Sequence, residues 1–161
     1  MEQPGTILTE AIIQKIEAEA GKYPTRRAAV KSALRYAQAE FGWISEDVVK
    51  AVAEVLGLER IEVFEVATFY DMFELKPIGR HKIGLCTNIS CQLRGVDAIS
   101  KRFKERLGVD FGGTTDDGLF TLKEFECLGA CTRAPMCLID ETYHVNFFVE
   151  TMKTSKCNKI E

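Results

Sequence analysis

From Thr6 to about Phe73 the apolar positions recur three and four residues apart, the spacing of helices that bury one face. The spacing predicts a small helical bundle. A first helix over Thr6–Ala20 would turn Ile12, Ile13, Ile16 and Ala20 to one side, with Gly21 as its stop. A second, opening at Pro24-Thr25 and running to Phe41, would turn Ala29, Val30, Ala33, Leu34, Ala37 and Phe41 inward and end at Gly42, with Trp43 capping the core. Ser45 suits the N-cap of a third helix carrying Val48, Val49, Val52, Val55 and Leu56, closed by Gly57. A shorter fourth helix is expected over Glu59–Val66. The aromatic-rich stretch that follows, Ala67 to Phe73, is read as core rather than as a partner-facing surface.

The pattern changes around Lys76-Pro77-Ile78-Gly79, and beyond it strands alternate with helices. A boundary is expected there, dividing a helical part, 1–77, from a second part, 78–161. The second part reads as a strand over His81–Leu85, an amphipathic helix over Ser90–Leu107 and a strand over Leu119–Glu126. Next come a hairpin of Met136–Asp140 with Tyr143–Phe147 around Glu141-Thr142 and a last helix over Val149–Cys157. The glycine-rich, acidic stretch Gly108–Gly118 is expected to be a mobile loop. The fold class is α+β.

Composition narrows the function classes. The formal net charge is −3, with acids and bases scattered and no basic cluster that would follow a phosphate backbone, so nucleic acid is not an expected partner. The first residues lack the basic start and unbroken apolar run of a secretory signal. No apolar run reaches the roughly 20 residues that span a bilayer, so direct membrane insertion is not expected. Six cysteines in such a chain point to metal binding or redox chemistry rather than to a disulfide framework.

Their spacing is informative. Cys86 and Cys91 form a C-x4-C pair running from a strand end into the next helix, and Cys127 and Cys131 form a C-x3-C pair after the second strand. If those strands are neighbours, both pairs meet at one sheet edge, where four thiolates can surround a small iron–sulfur cluster. Gly129 and Ala130 leave room for amides to approach sulfur, Pro135 stiffens the exit, and amides at the start of the helix after Cys86 would favour thiolates. Zinc remains open on spacing alone, although zinc knuckles usually staple fragments with little core of their own. The spacings of plant-type ferredoxins and of C-x-x-C dithiol enzymes are absent, and His81 and His144 lie outside any cysteine–histidine motif of the Rieske kind. Cys137, within Met136-Cys137-Leu138-Ile139, is read as a buried small hydrophobe, and Cys157 as exposed and oxidisable. No G-x-G-x-x-G loop marks a nucleotide site. Arg94 and Arg133 flank the ligand loops as solvent-exposed arginines that could also offset a cluster's negative charge.

These motifs, Cys86-x4-Cys91 with Cys127-Leu-Gly-Ala-Cys131-x3-Pro135, preceded by Val66-Ala67-Thr68-Phe69-Tyr70, resemble the family of small [2Fe-2S] subunits of respiratory complex I, NADH-quinone oxidoreductase. The resemblance covers nearly the whole chain. It implies a thioredoxin-like ferredoxin domain after the helical bundle, with one [2Fe-2S] cluster on Cys86, Cys91, Cys127 and Cys131. It implies no catalytic side chain and no substrate site. The expected partner is the larger flavoprotein subunit that carries FMN and the NADH site, followed by the rest of the peripheral arm on the cytoplasmic face of the membrane. The related small subunit of an NAD-linked hydrogenase or formate dehydrogenase shares the motif, and a zinc-stabilised interaction module is the alternative from another class.

Overall fold

The computed structural model describes residues 7–150, and the chain divides after Pro77 into two compact units.

The first unit consists of α1 (Glu10–Ala20), a 3-10 turn (Arg26–Ala29), α2 (Val30–Phe41), α3 (Glu46–Leu56) and α4 (Arg60–Phe69). Its core is one apolar cluster in which Ile16, Leu34, Val52 and Val63, one from each helix, are fully buried. Helix α2 touches each of the other three.

The ends of these helices follow local chemistry. Ser45 Oγ accepts from the Val48 amide at 3.2 Å, and Gly42 and Gly57 close α2 and α3 in the left-handed conformation, φ 80° and 63°. Gly21 does not act this way. Its φ is −65°, and α1 instead unwinds through a turn whose amides bond back to Glu17, Glu19 and Ala20 before Pro24 forbids continuation. Helix α1 also starts later than its pattern suggests, at Glu10; Thr6 lies outside the described residues. The second expected helix opens as the 3-10 turn and becomes α-helical only at Val30.

Helix α4 runs three residues past Val66. A reciprocal cap between Glu59 and Glu62 fixes its start, and the Thr68 hydroxyl bonds back to the carbonyls of Phe64 and Glu65 near its end. That extension corrects the reading of the aromatic stretch as core. Val63 and Ala67 point inward, so Phe69 is carried outward and is 77% exposed, with Tyr70 and Met72 also exposed; only Ala67 and Phe73 of the stretch are buried. Trp43 is half-buried, and the adjacent Ile44 fills the core instead, its amide held by the Glu74 carbonyl at 2.7 Å.

The second unit is a four-stranded mixed sheet in the order β2-β1-β3-β4. Strands β1 (His81–Cys86) and β2 (Phe120–Phe125) are parallel, joined by the crossover helix α6 (Val96–Leu107), whose Ile99 and Phe103 pack into a core with Ile83, Leu85, Leu122 and Met136. Strand β3 (Met136–Ile139) runs antiparallel to β1, and β4 (Thr142–Val145) turns back on β3 through Asp140-Glu141, with Asp140 at φ 53°. Gly84 in β1 lets the Phe125 ring lie against the strand, since a Cβ there would lie 2.5 Å from that ring and displace it.

Two expectations change here. The helix expected over Ser90–Leu107 is two helices, α5 (Ile89–Leu93) and α6, separated at Gly95, whose φ of 84° suits only glycine comfortably. The stretch Gly108–Gly118 is not a loose loop. Backbone bonds from Gly112 to Leu122, from Leu122 to Gly113 and from Thr115 to Phe120, with the Thr114–Thr121 bridge, lay it along β2. The last expected helix, Val149–Cys157, falls beyond residue 150 outside the described residues for most of its length.

Candidate metal centre

Strand direction assembles the site. In the parallel pair, Cys86 lies opposite Phe125 at the C-terminal ends of β1 and β2, so the chain leaves β2 beside Cys86 and reaches Cys127 two residues later. Because β3 is antiparallel to β1, with Leu85 opposite Cys137, the segment entering β3 arrives at that same end. That segment holds Cys131, at the start of a 3-10 turn (Cys131–Arg133). Cys91 sits in α5, directly after β1. All four cysteines therefore gather at one end of the sheet.

They gather as two unlike pairs. Cys86 and Cys91 are each 1% exposed and their thiols hydrogen-bond to each other, whereas Cys127 and Cys131 face outward. Burial pushes the Cys91 thiol up to about 11, and the hydrogen bond and charge of Cys86 add to the shift, as does the charge of Cys131 more weakly. The Met136 backbone opposes it by a hydrogen bond to the Cys91 sulfur. The expected depression of a thiol at the head of a helix is thus overturned at Cys91: α5 is only five residues long, and the Cys91 amide is spent on the Asn88 carbonyl at 2.8 Å. Around the second pair, Gly129 takes φ 77° and turns its amide onto the Cys127 sulfur at 3.3 Å. The glycine was expected to leave room for amides to approach cluster sulfurs; the amide it presents here reaches the Cys127 side chain.

Among the described residues, no three Cys, His, Asp or Glu side chains are gathered tightly enough to hold a metal ion. The donors stand instead as a buried pair and an outward pair sharing one sheet end. An all-thiolate set of two pairs suits a [2Fe-2S] group, in which each of two irons takes two protein sulfurs, better than one tetrahedral ion that needs four donors around a point.

The remaining residues separate from this group. His81 lies at the far end of β1, its Nδ1 2.9 Å from Asp140, and His144 packs edge-on to Phe147. Cys137 is fully buried within β3, as expected of a small hydrophobe. Cys157 is outside the described residues. Arg94 stacks over the Phe148 ring, its guanidinium carbon 5.6 Å from the centroid. The sequence reading missed the isolation of α5, for which Gly95 was the available signal, and its outward Ile89 and Leu93, which are 66% and 82% exposed. No helix among the described residues is long and apolar enough to cross a membrane.

A four-stranded mixed sheet with paired cysteines at one end is the arrangement of a thioredoxin-like ferredoxin, and the profile of thioredoxin-like [2Fe-2S] ferredoxins matches residues 16–156. The chain belongs to that family, and within it is a homologue of the E-type subunits of NADH-quinone oxidoreductase. It is 47% identical over 133 residues to an E-type subunit of NADH-quinone oxidoreductase from Rhizobium meliloti, covering 83% of this chain and 79% of that one. To the corresponding NADH-quinone oxidoreductase subunit of Pseudomonas aeruginosa it is 38% identical over 138 residues, covering 86% and 83%. Among solved structures it is similar in fold to a chain of the NAD+-reducing [NiFe]-hydrogenase in its H2-reduced state, with a TM-score of 0.70 at 20% identity. That match covers 81% of this chain and 22% of the hydrogenase chain, so this chain spans about a fifth of it.

Proposed function

We propose that this chain is the electron-carrying subunit of an NADH-quinone oxidoreductase, holding one [2Fe-2S] cluster on Cys86, Cys91, Cys127 and Cys131 and exchanging single electrons with the FMN of an NADH-binding flavoprotein partner. The observation that carries the reading is the meeting of both cysteine pairs at the sheet end set by the parallel β1–β2 register. When bound, the cluster supplies a one-electron change of iron oxidation state. The chain's own residues do the rest. Cys86 and Cys91 hold the inner side away from water, Cys127 and Cys131 hold the outer side where an electron can pass, and the Gly129 amide steadies the Cys127 sulfur. No acid or base is needed. Through its partners the subunit works at the cytoplasmic face of the membrane, with FMN and NADH bound on the flavoprotein.

Anaerobic purification followed by visible spectroscopy and iron and sulfide analysis tests the assignment. About two irons and two acid-labile sulfides per chain are expected, with the red-brown colour lost or strongly altered on replacing any of the four cysteines by alanine and kept in Cys137→Ala. A colourless protein carrying stoichiometric zinc would overturn it.

A further inference from the structure

The four cysteines are not fixed equally. Cys86 and Cys91 are set by β1 and α5 and lie in the core, whereas Cys131 opens a turn whose three residues, Cys131–Arg133, are all exposed. The turn's own bonds are local, from the Arg133 amide to the Ala130 carbonyl at 2.9 Å and from the Ala134 amide to the Cys131 carbonyl at 3.3 Å. Such bonds keep a turn's shape but leave its tilt to outside contacts, and those come from the far end of the β3–β4 hairpin. The ladder closes with Met136 opposite Val145, and there the chain leaves the extended conformation, with Asn146 at φ 49°. A positive φ is uncommon outside glycine, and asparagine is among the residues that tolerate it best. The next two amides bond back across the turn, Asn146 to the Arg133 carbonyl and Phe147 to the Pro135 carbonyl, both at 2.8 Å. Phe147 buries its ring at 2% exposure, stacked on the fully buried Phe103 of α6 with centroids 6.0 Å apart and planes 7° from parallel. Two backbone bonds and one ring stack thus tie the Cys131 turn to the crossover helix.

Resting on the function proposed above, we propose that Asn146 is a positioning residue for the cluster: its left-handed backbone turns the end of β4 onto the Cys131 turn, with Phe147 as anchor, and so sets where the Cys131 sulfur stands. Asn146 is exposed, and among the described residues its side chain makes no hydrogen bond, so its part is played by backbone conformation rather than by the amide group it carries. Groups that hold a metal's ligands in place are part of the site, and the electronic state of an iron–sulfur cluster follows the hydrogen bonds and solvent exposure of its sulfurs. Loosening the turn would let Cys131, already outward, tilt further into water while Cys86 and Cys91 stay sealed. The disturbance therefore falls on the outer side of the site.

The test is made on the cluster-loaded full chain, by electron paramagnetic resonance of the dithionite-reduced protein and by the rate of iron release to a chelator. Asn146→Val, whose branched side chain resists a positive φ, and Phe147→Ala, which removes the anchor, are expected to lose iron roughly tenfold faster or more, the usual cost of disturbing groups that hold a metal's ligands. Both should also shift the g values of the reduced cluster. Asn146→Gly keeps the left-handed turn without the side chain and should return both readouts to those of the unchanged chain. A mere loss of stability would hasten unfolding but leave the g values of the folded protein where they were. If Asn146→Val takes up no cluster, Asn146→Ala carries the same test. Unchanged g values in the valine and Phe147→Ala variants, or a glycine variant altered as much as the valine one, overturn the assignment. An unchanged chain that binds no [2Fe-2S] cluster overturns the functional reading beneath it.

Discussion

Cys86 and Cys91 are sealed beneath the sheet end, while Cys127 and Cys131 stand in solvent, and this difference sorts four chemically similar groups by reactivity. Brief treatment of the reduced, metal-free protein with iodoacetamide should alkylate Cys127 and Cys131 first and leave Cys86, Cys91 and Cys137 largely unmodified, as read by mass spectrometry of the peptides. Equal labelling of all five would contradict the described burial. Cys91 has a further consequence. Its folded pKa, about 11, lies above its ordinary value of 9.0. A raised pKa means that folding favours the protonated thiol, so its contribution to stability is complete at neutral pH and is lost as pH rises from 9 through about 11. Urea titrations of the metal-free protein should therefore show a fall in stability across that window that Cys91→Ala lacks. A parallel fall in both proteins would assign the effect to other groups. The same shift means that loading the site must overcome the thiol's reluctance to ionise.

At the scale of elements, local chemistry sets the helix ends, and substitutions there act through named bonds. Ser45→Ala removes the acceptor of the Val48 amide and should cost about 1 kcal/mol of stability, whereas Leu34→Ala, which empties a fully buried site between helices, should cost roughly 2–5 kcal/mol. Thermal unfolding of the two variants checks the order, and a larger loss at Ser45 would reverse it. The elements legible in the sequence were those whose periodicity and caps agreed: α2 and α3 with Gly42 and Gly57, and β1 and β2, whose ends bring the two cysteine pairs to one side of the sheet. The misreadings have two causes: tertiary hydrogen bonds that no local pattern records, and helix register, which decides the face a residue takes. The stretch 108–118 has the composition of a loop but finds its partners on β2, and Phe69 looks like core until the register of α4 is fixed by the Glu59–Glu62 cap at its other end.

At the scale of the molecule, each unit has its own apolar cluster, and the division follows Pro77. The second unit should therefore be separable: a fragment of residues 78–161, expressed with iron and sulfide supply, is expected to be coloured and to give the visible spectrum of the full chain. A colourless, unfolded fragment would show that the helical unit is required for the sheet to form. The first unit contributes no cysteine, since all of them lie after residue 77, and its exposed Ile61, Phe64 and Phe69 on α4 leave it with an apolar face of its own.

The parallel register of β1 and β2 also sets an order of events in the life of the chain. Cys86 and Cys91 are synthesised well before Cys127 and Cys131, and the two pairs stay far apart until α6 has crossed the sheet and β2 has docked beside β1. Closing a crossover of that length is slow compared with forming a helix. On the four-cysteine site proposed above, a nascent or partly unfolded chain would thus present only half of the donor set until β2 docks. A chain that misplaces β2 would leave its two cysteine pairs apart.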